Sequence, residues 1–437
     1  MKVFLISLGC DKNRVDSEEM LGFLEDAGFS FTDTEENADI IIINTCCFID
    51  AAKEESIETI LAMARMKEYG KCRKLIVTGC LAERYKKEIL KEMPEIDAVV
   101  GVNELEKVVL AAAGGEPDAR KAAGRPLGRV ITTPGHYEFL KIAEGCDKRC
   151  TYCIIPYIRG SYRSRPMEEL TAEAERLASA GVKELILVAQ ETTVYGTDLY
   201  KKKMLPGLLE RLCRIDGLKW IRLLYTYPEE IDDELLAVMA REEKIVKYID
   251  MPVQHASDNI LRKMGRRTTR AELEEKIARI REVVPGVVLR TTLISGFPGE
   301  TDADHEVLKE FVRKSRFDRL GVFTYSREEG TPAAEFAHQV PDKVKAERQD
   351  ELMRIQEEIS GELLKENIGR ELELIVEGYL PEDRLYVGRS YMDAPDVDGY
   401  FYFKSKKELF TGQTVRAVCT DSGLYDLYGE MLYESSE

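Results

Sequence analysis

Short apolar runs separated by amphipathic stretches organise the first quarter of the chain. Residues 3–8 form one such run. Residues 39–44 (DIIIIN) carry four consecutive isoleucines, the mark of a strand buried on both faces. Residues 74–78 and 98–100 read as two further strands, and residues 17–27, 53–69 and 84–93 between them have helical spacing. Strands and helices in alternation predict a parallel sheet with helices on both faces. In such sheets ligands gather beyond the carboxyl ends of the strands.

Residues 113–134 (AGGEPDARKAAGRPLGRVITTP) lose this order and read as a linker. A second alternating region follows, with candidate strands at 138–143, 184–189, 219–225, 247–251, 287–293 and 319–324 and helix-like sequence such as 167–180 and 270–284 between them. Six such units predict a partial (β/α)6 barrel rather than a closed eight-fold one. Beyond the charged helix 342–367 the period shortens. Segments 371–377, 385–389, 399–403, 414–420 and 426–432, separated by turn residues, predict a small five-stranded antiparallel β-barrel. The expected division is therefore an α/β chain of three domains, 1–114, 134–367 and 368–437, with a linker at 115–133.

Composition narrows the class. The 437 residues suffice for about three domains, and 44% hydrophobic with 33% charged residues suits a soluble globular protein. No apolar run approaches the ~20 residues of a membrane span. The opening MKVFLISLGC has the lysine, apolar run and cysteine of a lipoprotein signal. Its apolar run is shorter than the roughly 7–15 residues such signals use, and Asp11, Lys12, Asn13 and Arg14 follow at once. A buried first strand and a cytoplasmic protein are expected. The net charge of −17 argues against nucleic acid as the main partner, because phosphate binding needs a basic footprint. It suits a basic or protein partner, or serves only solubility. Ten cysteines in a reducing compartment point to metal binding or catalysis rather than disulfides.

The array GCDKRCTYCIIP places Cys146, Cys150 and Cys153 in C-x3-C-x2-C spacing, on a loop after the run FLKIAEG. Thiolates suit zinc or iron–sulfur clusters. Structural zinc wants four protein ligands, and no fourth Cys or His lies close in sequence. Three thiolates leave one iron of a 4Fe–4S cube free to chelate S-adenosylmethionine, whose one-electron cleavage releases a 5′-deoxyadenosyl radical. Tyr152, just before the last cysteine, is placed to meet the adenine, though aromatic loop residues are common. Gly296 and Glu300 in GFPGE, after another barrel strand, bring backbone near the ribose or methionine, or form a plain glycine turn.

A second set is dispersed. Cys10, Cys46 and Cys80 each follow one of the first three parallel strands, in FLISLGC, IIIINTC and LIVTGC. Neighbouring parallel strands end side by side, so the three thiols would meet at one rim. A lone cysteine is often only a small buried hydrophobe, but three of three strand ends predict a second cluster with an open iron. Cys47, Cys72, Cys213 and Cys419 lack such partners and read as structural. His255 in DMPVQH either lines the cavity or is a hydrogen-bonded core histidine.

The phrases SLGCDKNRVDSE, NTCCFIDAAKEESI, VTGCLAERY, KIAEGCDKRCTYCIIPYIRGSYRSRP, RLLYTYPEEI, DMPVQHAS, RTTLISGFPGET and YSREEGTPA together resemble the radical S-adenosylmethionine methylthiotransferase family over essentially the full length. Within it the chain is similar to the branch that methylthiolates an aspartate of the twelfth small-subunit ribosomal protein. That branch usually has glycine where this chain has Cys47. The resemblance implies two 4Fe–4S clusters, a radical one on Cys146, Cys150 and Cys153 and an auxiliary one on Cys10, Cys46 and Cys80. It also implies one S-adenosylmethionine for hydrogen abstraction at the aspartate β-carbon, a second for the methyl group, and an electron donor. No catalytic side chain is assigned.

The terminal segment resembles a TRAM domain, which helps tRNA-modifying relatives bind RNA. Seven basic residues against fourteen acidic ones give it a net charge of −7, a better match to a basic ribosomal protein than to RNA. Two alternatives stand beside this reading. One is a tRNA adenosine methylthiotransferase of the same architecture. The other is a non-enzymatic iron–sulfur or zinc protein.

Overall fold

The computed structural model describes residues 1–114 and 128–433, so most of the expected linker lies outside the described residues. The chain divides into two compact units. The first comprises Met1–Thr132, Glu144–Arg163 and Ser326–Ala334, and the second comprises Thr133–Ala143, Ser164–Tyr325 and Glu335–Glu437.

The first unit is built on a parallel sheet of strands β1 (Lys2–Ser7), β2 (Ser30–Phe31), β3 (Ile40–Thr45), β4 (Lys74–Gly79) and β5 (Ala98–Val99), in the order β2-β1-β3-β4-β5. The isoleucine run of β3 splits by its period of two. Ile41 and Ile43 enter one hydrophobic layer with Leu75 and Val77. Ile40 and Ile42 enter the other with Val3 and Ile76. Helices α1 (Asp11–Asp26) and α6 (Lys107–Ala113) cover the second layer through Met20, Leu24, Val108 and Ala112. Helices α2 (Asp50–Ala64), α4 (Cys80–Arg84) and α5 (Lys86–Glu92) cover the first, with the one-turn helix α3 (Met66–Tyr69) extending α2. The two-residue strand β2 is too short to show a period, which is why the hydrophobic pattern does not reveal it.

One segment distant in sequence belongs to this unit. Helix α7 (Ile155–Arg159), directly after the cysteine loop, inserts Ile154 and Ile158 into the first layer.

In the second unit six parallel strands lie in sequence order. They are β6 (Tyr137–Lys141), β9 (Glu184–Val188), β10 (Trp220–Leu223), β11 (Ile245–Asp250), β12 (Val288–Ser295) and β13 (Arg319–Thr324). The short strands β7 (Ala143–Glu144) and β8 (Arg163–Ser164) pair with each other. Each crossover is helical, so the sheet curls into the expected partial barrel. Among the described residues no helix is long and apolar enough to cross a membrane.

The terminal segment closes into a barrel of β14 (Glu371–Leu380), β15 (Leu385–Arg389), β16 (Phe401–Lys404), β18 (Leu427–Met431) and β17 (Thr414–Ser422). Four of its pairings are antiparallel, and β16 runs parallel to β18. A closed ring with an odd number of strands cannot alternate all the way round, so five strands require one parallel seam.

A buried seam of charge joins this small barrel to the amino-terminal ends of the large barrel's strands. Arg222, Arg389 and Glu184 are all fully buried. Glu184 accepts from Arg222 at 2.6 Å and forms an ion pair with Arg389 at 2.7 Å, and Arg389 also binds Glu377 at 2.7 Å. Beside them Arg319 pairs with Asp393 at 2.6 Å, and the Tyr248 hydroxyl donates to Asp398 at 2.6 Å.

Candidate functional site

The rim at the carboxyl ends of β1, β3 and β4 is where the first unit turns polar. Cys10 caps α1, Cys46 directly follows β3, and Cys80 opens α4. Two of the three are preceded by a glycine in the left-handed region, Gly9 at φ +89° and Gly79 at φ +92°. A Cβ on Gly9 would stand 2.9 Å from the Cys46 sulfur, and one on Gly79 would stand 2.4 Å from backbone and side-chain atoms of Thr45 and Asn44. Neither space admits a side chain. The Gly-Cys step turns each thiol off the end of its strand.

Side chains hold the rim in place. Asn13, fully buried in the first turn of α1, donates to the carbonyls of Leu8 at 2.9 Å and Thr45 at 3.0 Å. The Cys80 thiol donates to its Oδ1 at 3.9 Å. Ser56 accepts from the Cys46 amide at 3.0 Å and donates to the Cys46 carbonyl at 2.9 Å. Asn44 donates to Ser17, which donates to Ser7, both at 2.9 Å.

Electrostatics show that the three thiols are neighbours. Burial pushes the Cys80 thiol up to about 12, Arg159 opposes this, and the charges of Cys10, Cys47 and Cys46 add to it. Burial also raises Cys46, with Cys10 adding and Arg159 subtracting. Cys47 is fully buried, and its thiol, raised by burial to about 11, is hydrogen-bonded to Arg84. Arg84 in turn binds Glu328 at 3.0 Å, and Lys53 binds Glu328 at 2.7 Å.

The second set sits on the loop between β7 and α7. Cys146 and Cys150 are buried and Cys153 is half-buried. The Cys146 amide donates to Gly160 at 3.1 Å, and the Cys153 amide donates to Cys150 at 3.0 Å. Gly145 repeats the Gly-Cys device, since a Cβ there would meet the Ser161 carbonyl at 2.2 Å. Burial raises Cys153 to about 12, the Ile155 amide opposes this, and the charges of Cys150 and Cys146 add to it. Tyr152 is half-buried between the last two cysteines.

Among the described residues no three Cys, His, Asp or Glu side chains close on one point as a single ion requires. A 4Fe–4S cube places each thiolate on a different iron, so three thiols gathered at one rim or on one loop without closing on a single point fit a cluster better than zinc.

The remaining candidates lie in the second unit. Glu300 accepts from the amides of Gly296 at 2.7 Å and Phe297 at 3.0 Å, and its other oxygen accepts from Arg348 at 2.9 Å. Burial would raise its pKa, but His255 and Arg348 outweigh this and hold it below the ordinary value. Its carboxylate is spent on shaping the loop. Gly296 has φ +71°, and a Cβ there would overlap Lys345 of the helix Asp342–Lys365. His255 is fully buried, 3.6 Å from Glu300.

The sequence reading missed several residues of these sites. Asn13, Asp16 and Ser17 are buried polar positions at helical spacing on α1, a signal masked because a polar face ordinarily means a solvated one. Arg159 is equally hidden. Tyr225 (φ +59°) and Gln254 (φ +69°), after β10 and β11, hold left-handed backbone that non-glycine residues adopt rarely.

Three family models match the chain. Residues 2–101 match the Uncharacterized protein family UPF0004, residues 140–312 the Radical SAM superfamily, and residues 368–432 the TRAM domain. A protein of Lachnoclostridium phytofermentans named ribosomal protein uS12 methylthiotransferase RimO is 57% identical over 98% of this chain and 99% of its own length. Proteins of the same name from Thermoanaerobacter sp. and Clostridioides difficile are 51% and 47% identical, over 98% and 99% of this chain and 99% of their own lengths. Among solved structures, the radical S-adenosylmethionine methyltransferase TsrM of Kitasatospora setae, with cobalamin and a [4Fe-4S] cluster bound, aligns with TM-score 0.55 at 15% identity, covering 76% of each chain. At that identity the likeness is one of fold.

Proposed function

The chain belongs to the ribosomal protein uS12 methylthiotransferase family, and from that premise we propose that it inserts sulfur and a methyl group at the β-carbon of an aspartate of the uS12 protein. Cys146, Cys150 and Cys153 hold the radical 4Fe–4S cluster, and Cys10, Cys46 and Cys80 hold an auxiliary one. The observation that carries this reading is the pairing of two thiol triads in one compact unit, each set by left-handed Gly-Cys turns. When bound, the clusters and S-adenosylmethionine supply hydrogen abstraction, sulfur and methyl chemistry.

The chain's own residues do the rest. Gly9, Gly79 and Gly145 aim thiols, Asn13 and Ser56 fix the backbone on which Cys10 and Cys46 sit, and burial keeps water from Cys46 and Cys80 while Cys10 stays exposed. Tyr152 and the backbone of the 296–300 loop are assigned to S-adenosylmethionine, with Glu300 as the residue that positions that loop. A one-electron donor protein and a cytoplasmic setting complete the reading. Residues 1–114, 134–367 and 368–437 serve as the auxiliary-cluster, radical and partner-binding regions. The acidic terminal barrel favours a basic ribosomal protein, free or on the ribosome, over RNA.

The test is anaerobic reconstitution followed by incubation with reductant, S-adenosylmethionine and either uS12 or tRNA. A methylthio mass gain on uS12 is expected. Modified tRNA beside an untouched uS12 would overturn the substrate, and failure to cleave S-adenosylmethionine would overturn the enzyme.

A further inference from the structure

Arg159 is a wholly buried cation whose place is not explained by its own loop. It is 1% exposed, at the last position of α7 and six residues beyond Cys153. Helix α7 is held by Ile154 and Ile158 in the hydrophobic layer beneath it, so the position of Arg159 does not depend on any group bound by the loop. Its guanidinium forks. One nitrogen reaches Glu144 at 2.9 Å, two residues before Cys146. The other reaches Asp16 at 3.1 Å and donates to Asn13 Oδ1.

That second arm ends on the hub of the other thiol set. Asn13 bonds Leu8, two residues before Cys10, and Thr45, the residue before Cys46, and it accepts from the Cys80 thiol. With Oδ1 held by Arg159, the Asn13 amide is oriented so that its nitrogen must face the two carbonyls. Three thiolates gathered at one rim, two of them buried, are costly without a nearby cation, and a planar fork can set geometry and charge together where lysine cannot.

We propose that Arg159 is the positioning and charge-compensating residue of the Cys10, Cys46 and Cys80 site, acting through Asn13. The inference rests on the reading that those thiols hold a cluster. Outer partners of this kind tune a bound metal's retention and potential without touching it.

The test uses the full chain with Cys146→Ala, Cys150→Ala and Cys153→Ala, reconstituted anaerobically with iron and sulfide so that only the auxiliary site can load. In this background Arg159→Gln is expected to weaken iron retention against a chelator by about 10–100-fold. It is also expected to move the cluster's midpoint potential, followed by electron paramagnetic resonance, to a more negative value. Arg159→Lys keeps the charge but loses the fork, so retention should fall while the potential stays near that of the parent. In the reverse background, Cys10→Ala, Cys46→Ala and Cys80→Ala, Arg159→Gln should reduce retention by the Cys146 loop much less, because only the Glu144 contact is lost there. An unmoved auxiliary potential in Arg159→Gln, or equal iron loss in both backgrounds, would overturn the role of Arg159, the second outcome marking a general folding defect. If the auxiliary-only parent takes up no iron with Arg159 intact, the ligand assignment fails and this inference falls with it.

Discussion

Two regions of the molecule bury polar chemistry, and they do so in opposite ways. At the charged seam of the second unit every carboxylate meets a guanidinium or a hydroxyl, and Glu184 is held between Arg222 and Arg389. At the cysteine rim of the first unit, burial leaves Cys80 and, on the neighbouring loop, Cys153 raised to about 12, with Arg159 as the chief opposing charge at Cys80. The seam pairs its charges with protein groups alone. At Cys46 and Cys80 the protein by itself disfavours the ionised thiol, as expected where a metal completes the charge balance.

This contrast predicts a separation of effects, most sharply at the cysteines. Cys146→Ala should reduce reductive cleavage of S-adenosylmethionine to background while changing the stability of the metal-free chain by only ~1 kcal/mol. A comparable loss of folding in denaturant titrations would break the distinction. Arg389→Ala should do the reverse. Leaving the buried Glu184 and the half-buried Glu377 without their shared partner should cost about 3–5 kcal/mol, with iron per chain unchanged after reconstitution. A cost under ~1 kcal/mol would show that the seam is not closed in solution.

Within the seam, pH sharpens the comparison. Burial raises Glu184, but Arg222 and Arg389 outweigh it and hold the group below its ordinary 4.5. Its contribution is present above pH 4.5 and lost as pH falls through the lowered value. Glu184→Gln should therefore unfold at a lower temperature than the parent at pH 7, and the two should converge in acid. Asp393 lies the other way. Burial raises it from 3.8 despite Arg319, so its contribution is present below 3.8 and is lost as pH rises through the raised value. At pH 7 Asp393→Asn should cost less than Glu184→Gln, as thermal midpoints across pH would show. The smallest effect is expected at Cys47, whose thiol is engaged by Arg84. Cys47→Ala should leave iron per chain unaltered and cost on the order of 1 kcal/mol. Iron loss matching that of Cys46→Ala would exchange the two in the ligand set.

How much of this was legible in the chain depends on the range of the interaction. The isoleucine run of residues 40–43 announces a strand buried on both faces, because a strand's period of two is local. The Gly-Cys steps at 9–10, 79–80 and 145–146 are likewise visible as dipeptides, since the left-handed turn needs only its own glycine. Cys10, Cys46 and Cys80 could be grouped because parallel strands must end side by side. Glu184, Arg222 and Arg389 could not. Their sequence positions sit in ordinary strand patterns, and a charge among apolar neighbours does not name a partner some forty or two hundred residues away.

The chain alone determined the kinds of element, their order, and which thiols belong together, because periodicity and strand-end geometry are short-range consequences of backbone stereochemistry. The tertiary structure alone decided that residues 144–163 pack with the first unit and that Arg159 reaches Asn13 from the far side of the cysteine loop. It also decided that Glu300 shapes its own loop through Gly296 and Arg348. These are pairings of buried polar atoms, and only the packed chain specifies which donor lies within 3 Å of which acceptor.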